Sequence, residues 1–203
     1  MKKHSLLLLA AIICAGILNA QDASKVFGSN SIVWYGVDFT QAKMIGMKDE
    51  SPHKIRDEYF KQWNDVIIDV DLSKVFQKAL SYKDPNGVIK RDMARETDNL
   101  MGTDDQDFTA DKIADIVKAI PTGQKKEGLG VVFVVQSFNK ETGMATVHVT
   151  FFDIATKAVL WTKKETGKAA GGSTVKAWSA ALHNILSDIQ KKDFSAWKKE
   201  ANY

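Results

Sequence analysis

Hydrophobic and polar positions follow two different periods along the chain, and each period predicts a different kind of element. Residues 31–39 alternate with a period of two, so four apolar side chains share one face of a predicted strand: Val33, Tyr35, Val37 and Phe39. The run GLGVVFVVQSF at 128–138 is nearly all apolar, which indicates a central strand covered on both sides. The segment NKETG then predicts a hairpin to MATVHVTFFDI, and a further turn leads to AVLWTKKET.

Helical spacing of apolar residues predicts three to four helices. One begins at Pro52, behind the cap residue Ser51, and a second begins behind a cap at Asp71 or Ser73. Thr109 is expected to cap a third helix. The most regular amphipathic pattern is TVKAWSAALHNILSDI, whose apolar stripe includes Trp178 and predicts that this tryptophan is buried.

These elements predict an α/β (α+β) domain, with a largely antiparallel mixed sheet of about five strands and three to four helices packed on it. The turn sequence DPNG at 84–87 is expected to lead into a short strand at 88–93. The chain contains three prolines and no Ser- or Gly-rich tract, which indicates no linker. Residues 21–203 are therefore expected to form a single domain.

The first 20 residues have the layout of a secretory signal peptide. Two lysines precede an apolar run from Leu6 to Leu18, which is too short for a stable membrane span and is followed by Ala20. We therefore expect cleavage near Ala20 and a periplasmic or secreted mature protein. A lipoprotein, with Cys14 as the lipid-bearing residue, is the less favoured alternative, because two isoleucines stand where processing needs a small residue. The mature protein then has no cysteine and no disulfide.

The charge balance gives no reason to expect a nucleic-acid partner. The leader contains two of the 28 basic residues, which leaves 26 against 25 acidic residues in the mature chain. A net charge this small also predicts no strong attraction to anionic lipid.

Two stretches of the chain resemble known exported proteins. The tail VVFVVQSFNKETGMATVHVTFFDIATKAVLWTKKETGKA, with the Trp-bearing helix behind it, and the early segment WYGVDFTQAK resemble small exported proteins of Bacteroidetes. This resemblance implies export and supplies neither an activity nor catalytic residues. More remotely, FFDIATKAVLWT with its closing helix is similar to the assembly-type α/β domain of curli-secretion and penicillin-binding-protein-activator lipoproteins. This chain lacks the usable lipid-anchor cysteine of those lipoproteins.

No motif predicts a catalytic residue, a cofactor or a metal site. The mature histidines His53, His148 and His183 lack the close mutual spacing of a zinc motif. S-x-x-K occurs twice, but the further elements of a serine acyl enzyme are missing. The glycines of GKAAGGST at 167–174 are not followed by the lysine of a P-loop, and DDQD at 104–107 lacks the glycine and glutamate of an EF-hand. We expect a flexible or tight connection followed by a Ser/Thr cap at the first place, and a solvated loop at the second.

Asp38 is the remaining candidate, because it is an acid inside the strand-like run IVWYGVDF. The alternation places it on the face of Ile32 and Trp34, near the carboxyl end of the strand. Burying an ionised carboxylate without a partner costs several kcal/mol, so Asp38 must reach water, a cation or backbone donors. We expect a hydrogen-bond acceptor that orders the following loop, paired with a basic residue such as Arg91. The alternative is a ligand site that gathers Asp38, Arg91 and His148, since ligands usually bind at the carboxyl ends of strands in open α/β sheets.

Two functions from different classes remain. The favoured hypothesis is a non-enzymatic exported domain that binds another envelope component, most simply a protein, because no catalytic constellation is present. The alternative is a small-ligand-binding protein, or an enzyme, with a site near Asp38. A deep pocket with convergent polar groups would favour the alternative, and a flat apolar patch would favour the first hypothesis.

Overall fold

The computed structural model describes residues 23–203, apart from the side chain of Ile68. Seven strands form one sheet: β1 (Ser31–Asp38), β2 (Lys43–Ile45), β3 (Ala79–Lys83), β4 (Met101–Gly102), β5 (Leu129–Asn139), β6 (Met144–Asp153) and β7 (Val159–Lys168). Six helices accompany them: α1 (23–28), α2 (52–68), α3 (Leu72–Phe76), α4 (Asn86–Met93), α5 (Ala110–Lys118) and α6 (174–200). Helices α2 and α6 each contain a π-helical turn, at Ile55–Tyr59 and Ile189–Asp193. Within this described range, no helix combines the length and the apolar character needed to cross a bilayer. The predicted leader, including Cys14, lies outside the described residues.

Strand β5 is the centre of the sheet. It pairs with β6 in antiparallel orientation along one whole edge, and β7 pairs antiparallel with β6. Because β6 occupies that edge, β1 and β2 follow one another along the other edge, and both are parallel to β5. Beyond them, β3 is parallel to β1 and β4 is parallel to β2. Four of the six strand pairings are therefore parallel.

The prediction of a largely antiparallel sheet of about five strands with three to four helices was wrong. The hairpins that join β5, β6 and β7 are local and have recognisable turn sequences, whereas the parallel pairings join distant segments. The strand count is higher because the short strands β2, β3 and β4 were not predicted, while the predicted strand at 88–93 is absent. Residues 88–93, predicted as a strand, belong to that helix, in which the buried Val88 and Asp92 are one turn apart.

Helices cover both faces of the sheet. Helices α1, α2, α3 and α6 pack on one face, called here the front face, around side chains that include Trp34 and Phe133. Helices α4 and α5 pack on the opposite face, the back face, around side chains that include Val132. Trp178 of α6 is 3% exposed and stacks on Phe138 of β5, with ring centroids 4.7 Å apart. The predicted burial of this tryptophan is thus confirmed.

A β-bulge at Gly36 changes which side chains of β1 face the back of the sheet. Trp34 pairs with Val131 and Val37 pairs with Phe133, so β1 contains one more residue than β5 between these two pairs. Gly36 supplies the bulge with φ of +101°, a conformation that side chains disfavour. The predicted alternation along 31–39 was therefore wrong beyond Gly36. The side chains before and after it are distributed as follows: Ile32, Trp34, Val37 and Phe39 face the front, whereas Val33, Tyr35 and Asp38 face the back.

Candidate functional site

Asp38 is fully buried at the end of β1, and protein groups bind both of its oxygen atoms. Its Oδ2 lies 2.9 Å from Nη1 of Arg91, which α4 supplies. Its Oδ1 accepts the backbone N–H of Thr40 at 2.9 Å and also the Thr40 hydroxyl. Burial raises the pKa of the Asp38 carboxyl, while Arg91 and the bonds from Thr40 act in the opposite direction. The carboxylate therefore orders the turn that begins immediately after β1.

A second buried acid, Asp92 of α4, binds the same turn. Its Oδ1 accepts the backbone N–H of Phe39 at 2.7 Å, and its Oδ2 has no hydrogen-bond partner among the described residues. Burial, together with the nearby Asp38 carboxylate, raises the pKa of Asp92 well above its usual range. Arg95 donates to the carbonyl oxygens of Phe39 and, at 3.1 Å, of Ala42. These contacts satisfy backbone groups that no neighbouring strand reaches, since the sheet is interrupted here.

His148 lies on the same face of the sheet but away from this cluster. Asp38 pairs with Val134 of β5, and Val134 pairs with His148 of β6, so a whole strand separates the two titratable residues. Nε2 of His148 lies 2.9 Å from Oε1 of Gln136, and its ring stacks on Phe108 with centroids 5.6 Å apart. Burial lowers the pKa of His148. The structure therefore brings Asp38 and Arg91 together and leaves His148 in a separate hydrogen-bonded group.

The cavity nearest to Asp38 does not reach the acid itself. It has a volume of about 560 Å³ and is bordered by Arg91 and Thr40, together with residues of α5. Asp38 is 0% exposed behind these two residues. A ligand in this cavity would meet Arg91 and Thr40 and not the carboxylate of Asp38.

A different cleft lies where β2, β5 and β7 end. Its volume is about 450 Å³, and the loops that follow these three strands and the first turns of α6 form its walls. We call it the Trp178 cleft. The apolar part of its lining consists of Met47, Ala169, Ala170, Ala177 and Trp178. Because the carboxyl ends of parallel strands are the usual ligand-binding edge of an α/β sheet, its position is that of a binding site.

Glu50 is the carboxylate that lines the Trp178 cleft. Its Oε2 accepts the hydroxyl of Tyr59 at 3.1 Å, and its Oε1 accepts the hydroxyl of Thr174. Lys140 also lines the cleft, and its Nζ lies 3.5 Å from the carboxylate of Asp49 at the surface. A mostly apolar wall with a few oriented polar groups is the usual composition of a small-molecule site.

Sequence reasoning missed the Trp178 cleft because its walls come from three loops that are distant in the chain. The one available signal is the glycine pair before the last helix, which by itself predicts only a flexible or tight connection. In the structure, Gly171 has open space where a Cβ would be, and Gly172 has φ of +124°. A side chain at Gly172 would be tolerated poorly because of this φ angle. A side chain at Gly171 would occupy the open space beside the cleft.

The described residues contain no arrangement that could hold a metal ion. No group of three or more His, Cys, Asp or Glu side chains with suitable geometry occurs in the range 23–203. Comparison with known proteins assigns no family either: no family model matches the chain, and no curated protein is significantly similar to it. The function must therefore be inferred from the geometry of the sites.

Proposed function

We propose that the protein is an exported, non-enzymatic domain that binds a small ligand in the Trp178 cleft. The observation that carries this proposal is the cleft itself, which combines an apolar wall with the carboxylate of Glu50, held in place by two hydroxyl groups. Trp178 forms a rigid part of that wall, since it stacks on Phe138. A preformed site of this kind binds a ligand without first ordering its own side chains.

The surface of the described residues supports a ligand-binding role more than a protein-binding one. Large hydrophobic side chains that are exposed in this part of the chain are Met93, at 41%, and Tyr203, at 54%. Two such residues do not form the extended apolar patch that marks a stable protein interface. We place the ligand away from Asp38, because the oxygen atoms of this acid already bind Arg91 and Thr40.

The proposal is tested by filling the cleft from within. Ala177 lines the cleft, whereas Ala180 lies on the same helix and does not line it. The wild-type protein and the variants Ala177→Leu and Ala180→Leu are screened against a library of small molecules by thermal shift. We expect compounds that raise the melting temperature of the wild type and of Ala180→Leu but not of Ala177→Leu. A library without binders, or binders that stabilise both variants equally, would contradict the proposal.

One observation favours a second candidate function, an accessory role with another envelope protein. Strand β7 has ten residues and pairs only with β6 within the described range, so its outer edge is open to an added strand. The remote similarity to assembly-type domains supports the same role. Cross-linking of the mature protein in its own cell envelope provides the test. Cross-links that map to β7 would support this function, and cross-links confined to other surfaces would contradict it.

A further inference from the structure

A third cavity lies on the back face of the sheet, apart from the Trp178 cleft and next to the cavity bordered by Arg91, with which it shares Gln41 and Lys112. It has a volume of about 300 Å³ and lies between β2, helix α5 and the loop between β4 and α5. We call it the Lys43 cavity. Side chains that can donate hydrogen bonds form most of its lining: Gln41, Lys43, Thr103, Gln106 and Lys112. Phe108 supplies an apolar wall.

Two lysines of this cavity have no carboxylate partner. Nζ of Lys43 donates to the backbone carbonyl of Asn99 at 2.6 Å, and Nζ of Lys112 lies 4.4 Å from the ring centroid of Phe108. Neither lysine takes part in any of the ion pairs formed among the described residues. By contrast, Lys118 of the same helix as Lys112 meets Asp115 at 3.0 Å.

Two acids near the cavity, Asp105 and Asp107, are engaged elsewhere. Asp105 accepts from the side-chain amide of Gln136 at 2.7 Å, and Asp107 is paired with Lys164. Asp104 is the acid that lines the cavity, and it is exposed. The lining therefore contains two ammonium groups and one carboxylate.

Arg95 adds a third positive charge nearby. Its guanidinium donates to the carbonyl oxygens of Phe39 and Ala42 and forms no ion pair within the described range. Burial lowers the pKa of Lys43, and the positive charges of Arg95 and Lys112 lower it further. Lys43 therefore lies close enough to Arg95 and Lys112 to be repelled by both, and an anion beside Lys43 would relieve this repulsion. The carboxyl groups of Asp92 and Asp38 lie near Arg95.

We propose that the Lys43 cavity binds a small anion, with phosphate or a compact carboxylate held between Lys43 and Lys112. The aliphatic stem of Lys43 lies close to Gly102: a Cβ atom added to this glycine would be 3.2 Å from Cδ of Lys43. This close packing directs the ammonium group of Lys43. Phe108 is held by stacking on His148, and its ring centroid lies 4.4 Å from Nζ of Lys112, so it helps to position this ammonium group. This inference is independent of the ligand proposed for the Trp178 cleft.

The test uses inorganic phosphate and benzoate as probes at constant ionic strength, with sodium chloride as the balancing salt. Backbone amide chemical shifts are followed in the wild type and in the variants Lys43→Met, Lys112→Met and Lys118→Met. Lys118 is the control, because it lies on the same helix as Lys112, is bound to Asp115 and does not line the cavity. We expect saturable shifts at residues of the cavity in the wild type and in Lys118→Met. The affinity for the anion should fall about tenfold or more in Lys43→Met and Lys112→Met, because each variant loses one charge-assisted hydrogen bond.

Three results would overturn the inference. These are shifts that do not saturate with either probe, shifts that sodium chloride alone reproduces, and equal affinities in all three lysine variants. A fourth variant, Lys43→Arg, guards against a folding defect in Lys43→Met, because it retains the positive charge and should retain binding. If Lys43→Arg binds no better than Lys43→Met, the charge at this position does not hold the anion.

Discussion

The ion pair between Asp38 and Arg91 joins residues that are 53 positions apart and attaches the end of β1 to α4, with 2.9 Å between Nη1 and Oδ2. The Asp38 side chain is 0% exposed and the Arg91 side chain is 22% exposed, so the acid is desolvated while the arginine keeps contact with water. Thr40 satisfies the second oxygen of the acid. The pair thus fixes the turn between β1 and β2, where the sheet is interrupted.

Asp38→Asn should lower the free energy of unfolding by about 1–3 kcal/mol, because Arg91 loses its anionic partner. Urea denaturation measures this change. The control is Asp65→Asn, which breaks the exposed pair with Lys61 and should cost about 0.5 kcal/mol or less. An Asp38→Asn protein of wild-type stability that has lost ligand binding would show that the acid is a site residue.

The pH dependence of stability should contain a contribution from Glu165 of β7. Burial and the neighbouring Asp193 carboxylate raise the pKa of Glu165 from 4.5 to about 6. The folded protein therefore binds this proton more tightly than the unfolded chain does. Its contribution to stability is present in full below pH 4.5 and is lost as the pH rises through about 6.

We expect Glu165→Gln to reduce the fall in unfolding free energy between pH 4.5 and about 6, the window that the two pKa values define. Chemical denaturation at a series of pH values gives the slope. Glu127→Gln, at an exposed position, is the matched control, and this variant should have the same slope as the wild type. Parallel curves for Glu165→Gln and the wild type would show that Glu165 does not titrate in this window.

Local patterns predicted the elements that depend on local chemistry. The caps Ser51, Asp71 and Thr109 are confirmed, since each side chain accepts a backbone N–H of the following helix. The strands of the two hairpins formed by β5, β6 and β7 also match their predicted positions. Periodicity and turn residues are enough for such elements, because the interactions that specify them lie within a few residues.

Relationships between distant segments could not be predicted in this way. The parallel pairing of β1 with β5 leaves no local signature, and a single glycine at the bulge reverses the faces of the residues beyond it. The Trp178 cleft and the Lys43 cavity are built from segments that meet only after folding. Lys43 and Lys112, for example, come from β2 and α5. Each is an unremarkable surface lysine in the sequence.

Lys78 should attach helix α1 to the rest of the protein. It is 6% exposed, and its Nζ donates to the carbonyl oxygens of Phe27, at 3.2 Å, and of Ser29. Burial, and to a smaller extent Lys198, lower the pKa of Lys78 to about 8. Lys78→Met should therefore release residues 23–28, because the carbonyl groups at the C-terminal end of α1 lose their buried donor.

Amide hydrogen exchange measures this release directly. Protection should fall at residues 23–28 in Lys78→Met and remain unchanged along β5, because the opening is local. Lys74→Met is the control, since Lys74 is 72% exposed and meets Asp71 at 3.3 Å. Unchanged protection of residues 23–28 in Lys78→Met would mean that other contacts hold α1 in place.

The export proposal predicts where the mature chain begins. The lysine and apolar pattern that precedes Ala20 should lead to cleavage before Gln21. Intact-mass analysis of the protein recovered from its native envelope gives the N-terminus. A species that begins at a lipidated Cys14 would contradict the proposal and would place the protein on a membrane.

Trp178→Ala should lower the free energy of unfolding by about 3–5 kcal/mol, because it removes a large buried aromatic side chain that stacks on Phe138. Trp178→Phe keeps a ring against Phe138 and should cost less, so the fold is retained while the wall of the cleft moves back. Denaturation of both variants measures the packing, and ligand titration of Trp178→Phe measures the cleft. We expect affinity for compounds found in the thermal-shift screen to fall in Trp178→Phe. A Trp178→Ala protein as stable as the wild type would mean that α6 does not pack on the front face as described.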